Sequence, residues 1–297
     1  MAIFDEILKF DVEYVAGGAT QNAIRIAQWM SRSEGATSFV GCIGNDDKGK
    51  SLEKACEEAG VNSCYYVSPT VPTGVCCVPI VSKERTLVTK LEACNEYPHS
   101  HTLSDEVQKL ISGAKIFYIA SFFLTVPQGP ETILHVAEHS AANGKIFSMN
   151  LSADFLIDFF TEPMLKALPF MDYVFSNEHE AGTLSKKLEW NCSLEETALR
   201  LSAMPKQTGT RGRTVVFSQG ANDTIVAHNG KVTLFPVPKL SDELLHDTNG
   251  AGDAFVGGFL ARLAIDASIE ECIRCGHYAA RVVIQRSGCT VPSQPDI

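Results

Sequence analysis

Lys115-Ile116-Phe117-Tyr118-Ile119-Ala120, a helical stretch from Glu131 to Ala141, then Lys145-Ile146-Phe147-Ser148-Met149-Asn150 decide the architecture of this chain. Both flanking runs are short, apolar nearly throughout and closed by a polar residue, as strands buried on both faces of a parallel sheet should be. The same pattern recurs from Thr37 to Ile43, from Tyr173 to Ser176 and from Thr214 to Ser218. Helical patterns run from Gln21 to Met30, from Gly49 to Ala59 and from Glu178 to Lys187. Strand–helix–strand repetition predicts an α/β fold, a doubly wound and mostly parallel sheet flanked by helices. Ligands in such folds bind beyond the carboxyl ends of the strands.

One region breaks this rhythm. Cys64 to Val67, Val75 to Val81 and Arg85 to Leu91 read as successive strands with no helix between them. They are expected to pair antiparallel and to project from the core as a small β lid. The expected division is an α/β core of residues 17–62 and 96–297, with 1–16 and 63–95 as what remains of lid and hinge. Met1 to Phe10 reads as an amphipathic helix.

The chain has 297 residues and a formal charge of −10, with mixed signs and ordinary apolar content. A net acidic protein is poorly suited to nucleic acid or an anionic membrane, both of which call for a basic face. No apolar run reaches transmembrane length, and the first residues lack a signal-peptide pattern, so a cytosolic location with a possible nuclear fraction is expected. The ten cysteines are scattered among apolar residues and read as small buried hydrophobes. Cys272-x-x-Cys275 has no second pair to complete a metal site, and His135-x-x-x-His139 reads as a solvated helix face.

Chemistry is written most densely in Asp247-Thr248-Asn249-Gly250-Ala251-Gly252-Asp253-Ala254-Phe255-Val256-Gly257-Gly258-Phe259-Leu260. Small residues at a helix start let several backbone N–H groups converge, which makes an anion hole for phosphate. Asp253 would sit beside that hole, where a carboxylate can take the proton of an attacking hydroxyl. An ordinary glycine-rich loop with an Asp cap is compatible with the same residues. Gly17-Gly18 precedes the first long helix and permits backbone angles that other residues avoid. Asn177-Glu178-His179-Glu180 closes a strand and opens a helix, where an Asn and a Glu commonly serve as cap and dipole partner.

Taken together, the run from Asp247 to Leu260, Tyr14 to Asn22, and Asn177 to Glu180 resemble the signatures of the ribokinase-like (phosphofructokinase B) family of carbohydrate and nucleoside kinases. The resemblance implies ATP as phosphoryl donor, Mg²⁺ as cofactor, Asp253 as general base and Gly250, Ala251 and Gly252 as the anion hole. It implies Gly17 and Gly18 as the lid hinge, Asn22 and Asn249 at the substrate, and Arg85 on the lid near the transferring group. Asn150, Asn177, Gln219 and Gly220 would attend ATP, with Asn177 and Glu180 managing the metal through water. Ala19-Thr20-Gln21-Asn22, Phe122-Phe123-Leu124-Thr125, Asn150-Leu151-Ser152-Ala153 and Cys275-Gly276-His277-Tyr278-Ala279-Ala280 look like the eukaryotic members that act on adenosine. A purine would then lie among Phe122, Phe155, Leu87 and Leu91. The substrates implied are adenosine and ATP, the product AMP (a purine-salvage step), and the state a monomer.

The resemblance spans essentially the whole chain but begins late. Family members carry a few dozen earlier residues that include a first core strand and an Asp for the ribose hydroxyls. Without that carboxylate, ribose binding is expected to weaken by about 2–4 kcal/mol, and without that strand a sheet edge lies uncovered, so a marginal fold and poor turnover are expected. Lys90 and Glu92 also stand where the family is small or amide-like. Two further readings stay open: another sugar or nucleoside kinase of the same family, and a shortened isoform without turnover.

Overall fold

The computed structural model describes residues 2–7, 9–81, 84–207 and 211–296. Its strands are β1 (Ser38–Gly44), β2 (Asn62–Ser68), β3 (Val75–Cys77), β4 (Ile80–Val81), β5 (Glu84–Arg85) and β6 (Val88–Lys90). They continue with β7 (Ile116–Ala120), β8 (Ile146–Asn150), β9 (Tyr173–Asn177), β10 (Thr214–Gln219), β11 (Asn222–His228) and β12 (Lys231–Phe235). The helices are α1 (Ala2–Ile7), α2 (Ala19–Ser31), α3 (Asp47–Glu58), α4 (His99–Thr102), α5 (Asp105–Gly113) and α6 (Gly129–Ala142). After them come α7 (Asp154–Phe159), α8 (Thr161–Ala167), α9 (Glu178–Lys187), α10 (Leu194–Ala203), α11 (Ala251–Leu263) and α12 (Ile269–Val283).

The main sheet has the order β12-β11-β10-β9-β8-β7. The pairs β7–β8, β8–β9 and β9–β10 are parallel, and β10–β11–β12 closes the sheet as an antiparallel meander. Alternation along each strand sends side chains to two cores. Phe147, Met149, Val174, Val215 and Phe217 meet residues of α6, α9 and α10 on one face. Tyr118, Ile146, Tyr173, Phe175 and Val216 meet Phe255, Phe259 and Leu263 of α11 on the other. Burial on both faces explains why these strands read as continuous apolar runs.

α11 is held between α2 and α12 with almost no clearance. A Cβ at Gly257 would stand 2.4 Å from the Ala23 carbonyl oxygen, and one at Gly258 would stand 2.4 Å from that of Cys275. Gly257 brings the middle of α11 against the early turns of α2, and Gly258 brings it against α12.

The lid differs from the expectation. Cys64 to Val67 belongs to β2, which pairs in parallel with β1 rather than antiparallel within the lid. The helix α3 between them is a crossover connection, and such a connection joins parallel neighbours. The remaining lid is made of two small antiparallel pairs, β3–β6 and β4–β5, where longer strands were expected. Asp46, the cap of α3, also accepts from the Thr73 amide at 2.8 Å and the Thr73 hydroxyl at 2.7 Å, tying this helix to the foot of the lid. Among the described residues β1 pairs only with β2, and β7 only with β8.

All ten cysteines are free thiols. Cys42, Cys56, Cys64, Cys272, Cys275 and Cys289 are buried as expected, whereas Cys76 on β3 is exposed. His135 and His139 also depart from expectation. They are half-buried, with the His135 ring 5.4 Å from that of His99 and the His139 ring 6.1 Å from that of Phe117.

Candidate active site

The helix α11 starts at Gly250, whose φ of 77° is left-handed and disfavoured for residues with a Cβ. No side chain caps this helix. The Ala251 amide donates to the Thr248 carbonyl at 3.2 Å, so the Gly252 and Asp253 N–H groups are the ones left for a ligand at the positive end of the helix dipole. A Cβ built on Gly252 meets nothing within 4 Å, so the space in front of that turn is open. The preceding loop is held from behind. The Asp247 carboxylate accepts from the Asn249 amide at 2.8 Å and from the Gly288 amide at 3.2 Å.

Asp253 lies in the first turn of α11. Its residue surface is partly open, while its carboxyl is enclosed on the remaining sides. That burial pushes the carboxyl up to about 7, and a hydrogen bond from Asn22 acts in the opposite direction. The bond runs from Asn22 Nδ2 to Asp253 Oδ2 at 3.0 Å, joining residues 231 positions apart. The other amide atom of Asn22, Oδ1, is buried without a partner. Asn22 stands near the start of α2, just after Gly18 with its φ of 99°. Thr20 fastens the same helix start to the end of β7 by accepting from the Ala120 amide at 3.2 Å.

Two residues not anticipated from the sequence lie beside this carboxylate. The Tyr118 phenol is pushed up by burial and then by the charge of Asp253. The Cys289 thiol is pushed up to about 12, again by burial first and Asp253 second. The Cys289 Cβ would be 3.2 Å from a Cβ on Gly250. A lone hydroxyl-bearing side chain within an otherwise wholly apolar strand was the available signal for Tyr118. Cys289, after the tight turn at Gly288, offered none.

The structure also brings Phe122 and Phe155 together, with ring centroids 6.3 Å apart, each ring partly exposed (38% and 46%). Phe122 follows the end of β7, and Phe155 lies in α7 after β8. Both therefore sit beyond carboxyl ends of parallel strands, as the architecture requires.

Other expected residues are occupied locally. Asn150 Oδ1 accepts from the Ser152 amide at 3.0 Å. Gln219 Nε2 donates to the Asp223 carbonyl at 2.5 Å across the turn at Gly220. Leu87 is exposed on the lid and Leu91 is half-buried. The Arg85 side chain lies outside the described residues. Asn177 and Glu180 form a reciprocal capping box at the start of α9, with Asn177 Nδ2 donating to Glu180 Oε1 at 2.7 Å.

Glu180 is buried, and burial pushes its carboxyl up. Among the described residues no three His, Cys, Asp or Glu side chains gather to hold a metal ion. One carboxylate engaged in a cap fits an outer role toward Mg²⁺, whose remaining positions water and phosphate oxygens would fill.

The chain is 51% identical to adenosine kinase 2 of Arabidopsis thaliana over 298 residues, covering all of this chain and 86% of that protein. The solved structure of Anopheles gambiae adenosine kinase in complex with P1,P4-di(adenosine-5) tetraphosphate superposes with a TM-score of 0.96 at 40% identity. The match covers all of this chain and 87% of that one. Adenosine kinase from Schistosoma mansoni in complex with 2-fluoroadenosine matches with a TM-score of 0.94 at 31% identity, covering 98% of this chain and 86% of that one. Residues 5–297 match the pfkB family carbohydrate kinase description, and with the uncapped glycine start of α11 and its adjoining carboxylate in place, the chain belongs to that family.

Proposed function

We propose that this chain is an adenosine kinase, transferring the γ-phosphoryl group of ATP to the adenosine 5′-hydroxyl to give AMP and ADP. The observation that carries the reading is the junction of the open α11 start with Asp253, whose carboxyl is poised near neutral pH. A general base works best with a pKa close to the operating pH. Asp253 accepts the 5′-hydroxyl proton as that oxygen forms its bond to the γ-phosphorus. The bond from the γ-phosphorus to the bridging oxygen breaks, and the electron pair leaves with ADP. N–H groups of the first α11 turn face the charge that develops on the phosphoryl oxygens. Phe122 and Phe155 offer aromatic faces suited to a purine, where a sugar would call for hydrogen-bonding groups.

Mg²⁺, when bound, neutralises phosphate charge, and Asn177 and Glu180 would hold its waters. Gly17 and Gly18 serve as the hinge on which the lid closes and excludes water. A monomer in the cytosol accompanies this reading.

The test is AMP formation from adenosine and Mg·ATP by the purified chain and by Asp253→Asn, with ribose and other nucleosides as competing substrates. Loss of about 10³-fold or more in kcat is expected for the variant, within the range of general-base contributions. Retention of activity in Asp253→Asn would sink the assignment of the base. Preference for ribose would sink the assignment of the substrate.

A further inference from the structure

Asn22 reaches Asp253 because two helices far apart in sequence are pressed together. The first turn of α2 meets the first turn of α11, and the glycine at 257 lets the two backbones approach at the level of Ala23. The Asn22 Nδ2 group donates to Oδ2 of the carboxylate at 3.0 Å, leaving Oδ1 of Asp253 without that bond. An amide N–H favours the ionised, acceptor form of a carboxyl group, and the opposing effect of burial is the larger one here. On the same side chain, Asn22 Oδ1 is buried and unpartnered. Asn22 is thus anchored to the carboxylate on one side and keeps an acceptor in reserve on the other.

We propose that Asn22 is a positioning residue for the base, fixing the Asp253 carboxylate through Oδ2 so that Oδ1 is the oxygen that takes the substrate proton. This rests on the adenosine kinase reading above and adds to it a division of labour between the two carboxylate oxygens. A contact with the substrate alone would make Asn22 a contributor to adenosine affinity. A hold on Asp253 makes it a determinant of the pH at which the enzyme works.

The groups around Asp253 leave the effect readable. Tyr118 faces it from β7, and Cys289 faces it from the turn after α12. Burial pushes both upward, Cys289 to about 12, so both stay neutral from pH 5.5 to 9 in this test, roughly the working range of a general base. Arg25, one turn beyond Asn22 on α2, supplies a fixed positive charge near Cys289. Asp253 itself is then the group expected to titrate in that window, with its acid limb near 7.

The experiment is the pH profile of kcat/KM for adenosine at saturating Mg·ATP, for the intact chain, Asn22→Ala and Asn22→Asp. Loss of the amide donor should move the acid limb of Asn22→Ala to higher pH by about one unit, so its deficit grows roughly tenfold between pH 8.5 and pH 6. Asn22→Asp places a like charge beside the base and should move the limb further in the same direction. It preserves side-chain shape, so it carries the test if the alanine variant folds poorly. A raised KM with the acid limb unmoved in both variants would overturn the proposal and leave Asn22 as a substrate contact. Asp253→Asn, run alongside, separates the two claims. If it stays active, the base assignment itself is wrong, whatever Asn22 does.

Discussion

Two helix starts at the carboxyl edge of the same fold meet the same physical demand in opposite ways. α9 closes on itself, because Asn177 accepts from the Glu180 amide at 2.8 Å and Glu180 accepts from the Asn177 amide at 3.0 Å. α11 has no side-chain cap, begins on a left-handed glycine and carries in its first turn a carboxylate that accepts from Asn22 and not from its own helix start. A capped start satisfies its own N–H groups and adds stability. An uncapped one keeps them for a ligand, at some cost to the unliganded fold. The difference fits the proposed division of roles, with phosphoryl transfer at the α11 start and water-mediated support of Mg²⁺ at the self-capped α9 start.

The largest expected effect on stability tests the cost at α11. A carboxyl raised from 3.8 to about 7 keeps its proton in the folded state and loses it near 4 in the unfolded one. Folding stability therefore falls as pH rises through that window, and the full penalty stands above 7. Asp253→Asn carries no such charge. At pH 8 it should be more stable than the parent by roughly 2–4 kcal/mol, an increase of several degrees in Tm that vanishes near pH 4. An equal Tm at both pH values would remove the claim that this start is costly.

A paired substitution sharpens the comparison further. Gly250→Ala forces a Cβ into a left-handed residue 3.2 Å from the Cys289 Cβ, and should cost about 1–2 kcal/mol. Gly252→Ala meets nothing within 4 Å and improves helix propensity, so stability should hold or rise by up to ~1 kcal/mol. Its new methyl group stands in the open space before the N–H groups, so phosphoryl transfer should fall while the fold holds. Measuring Tm and turnover on both variants separates the two glycine roles. The smallest effect belongs to α9. Asn177→Ala removes half of the capping box and should lower stability by about 1 kcal/mol, with a Tm drop of a few degrees in thermal unfolding.

Much of this was legible in the residues. The strand expected from Tyr173 to Ser176 extends to Asn177, and the helix from Glu178 to Lys187 has the expected bounds. Strands covered on both faces and helices with one apolar side leave strong patterns. The pairing of Cys64 to Val67 was lost because a half-buried strand reads alike whether its partner is parallel or antiparallel. The helix before it held the answer. The β11–β12 hairpin was missed, although Asn229-Gly230, at the left-handed angles of 50° and 74° that such turns require, carried its signal. The glycine-rich start of α11 was visible as a string of small residues. The contact between Asn22 and Asp253 was not, since it depends on how closely α2 and α11 approach rather than on any local pattern.

The distribution of the thiols gives the molecule a chemical asymmetry. Cys289 lies next to the catalytic loop, but its thiol is buried and pushed up to about 12, so very little of it is the thiolate that reacts with electrophiles. Cys76, on β3 of the lid, is exposed, whereas the other nine cysteines are buried or half-buried. A gentle alkylating dye should therefore mark the lid and spare the catalytic loop. The native chain thus carries its own attachment point for a fluorophore that reports on the lid while the chemistry beneath it runs undisturbed.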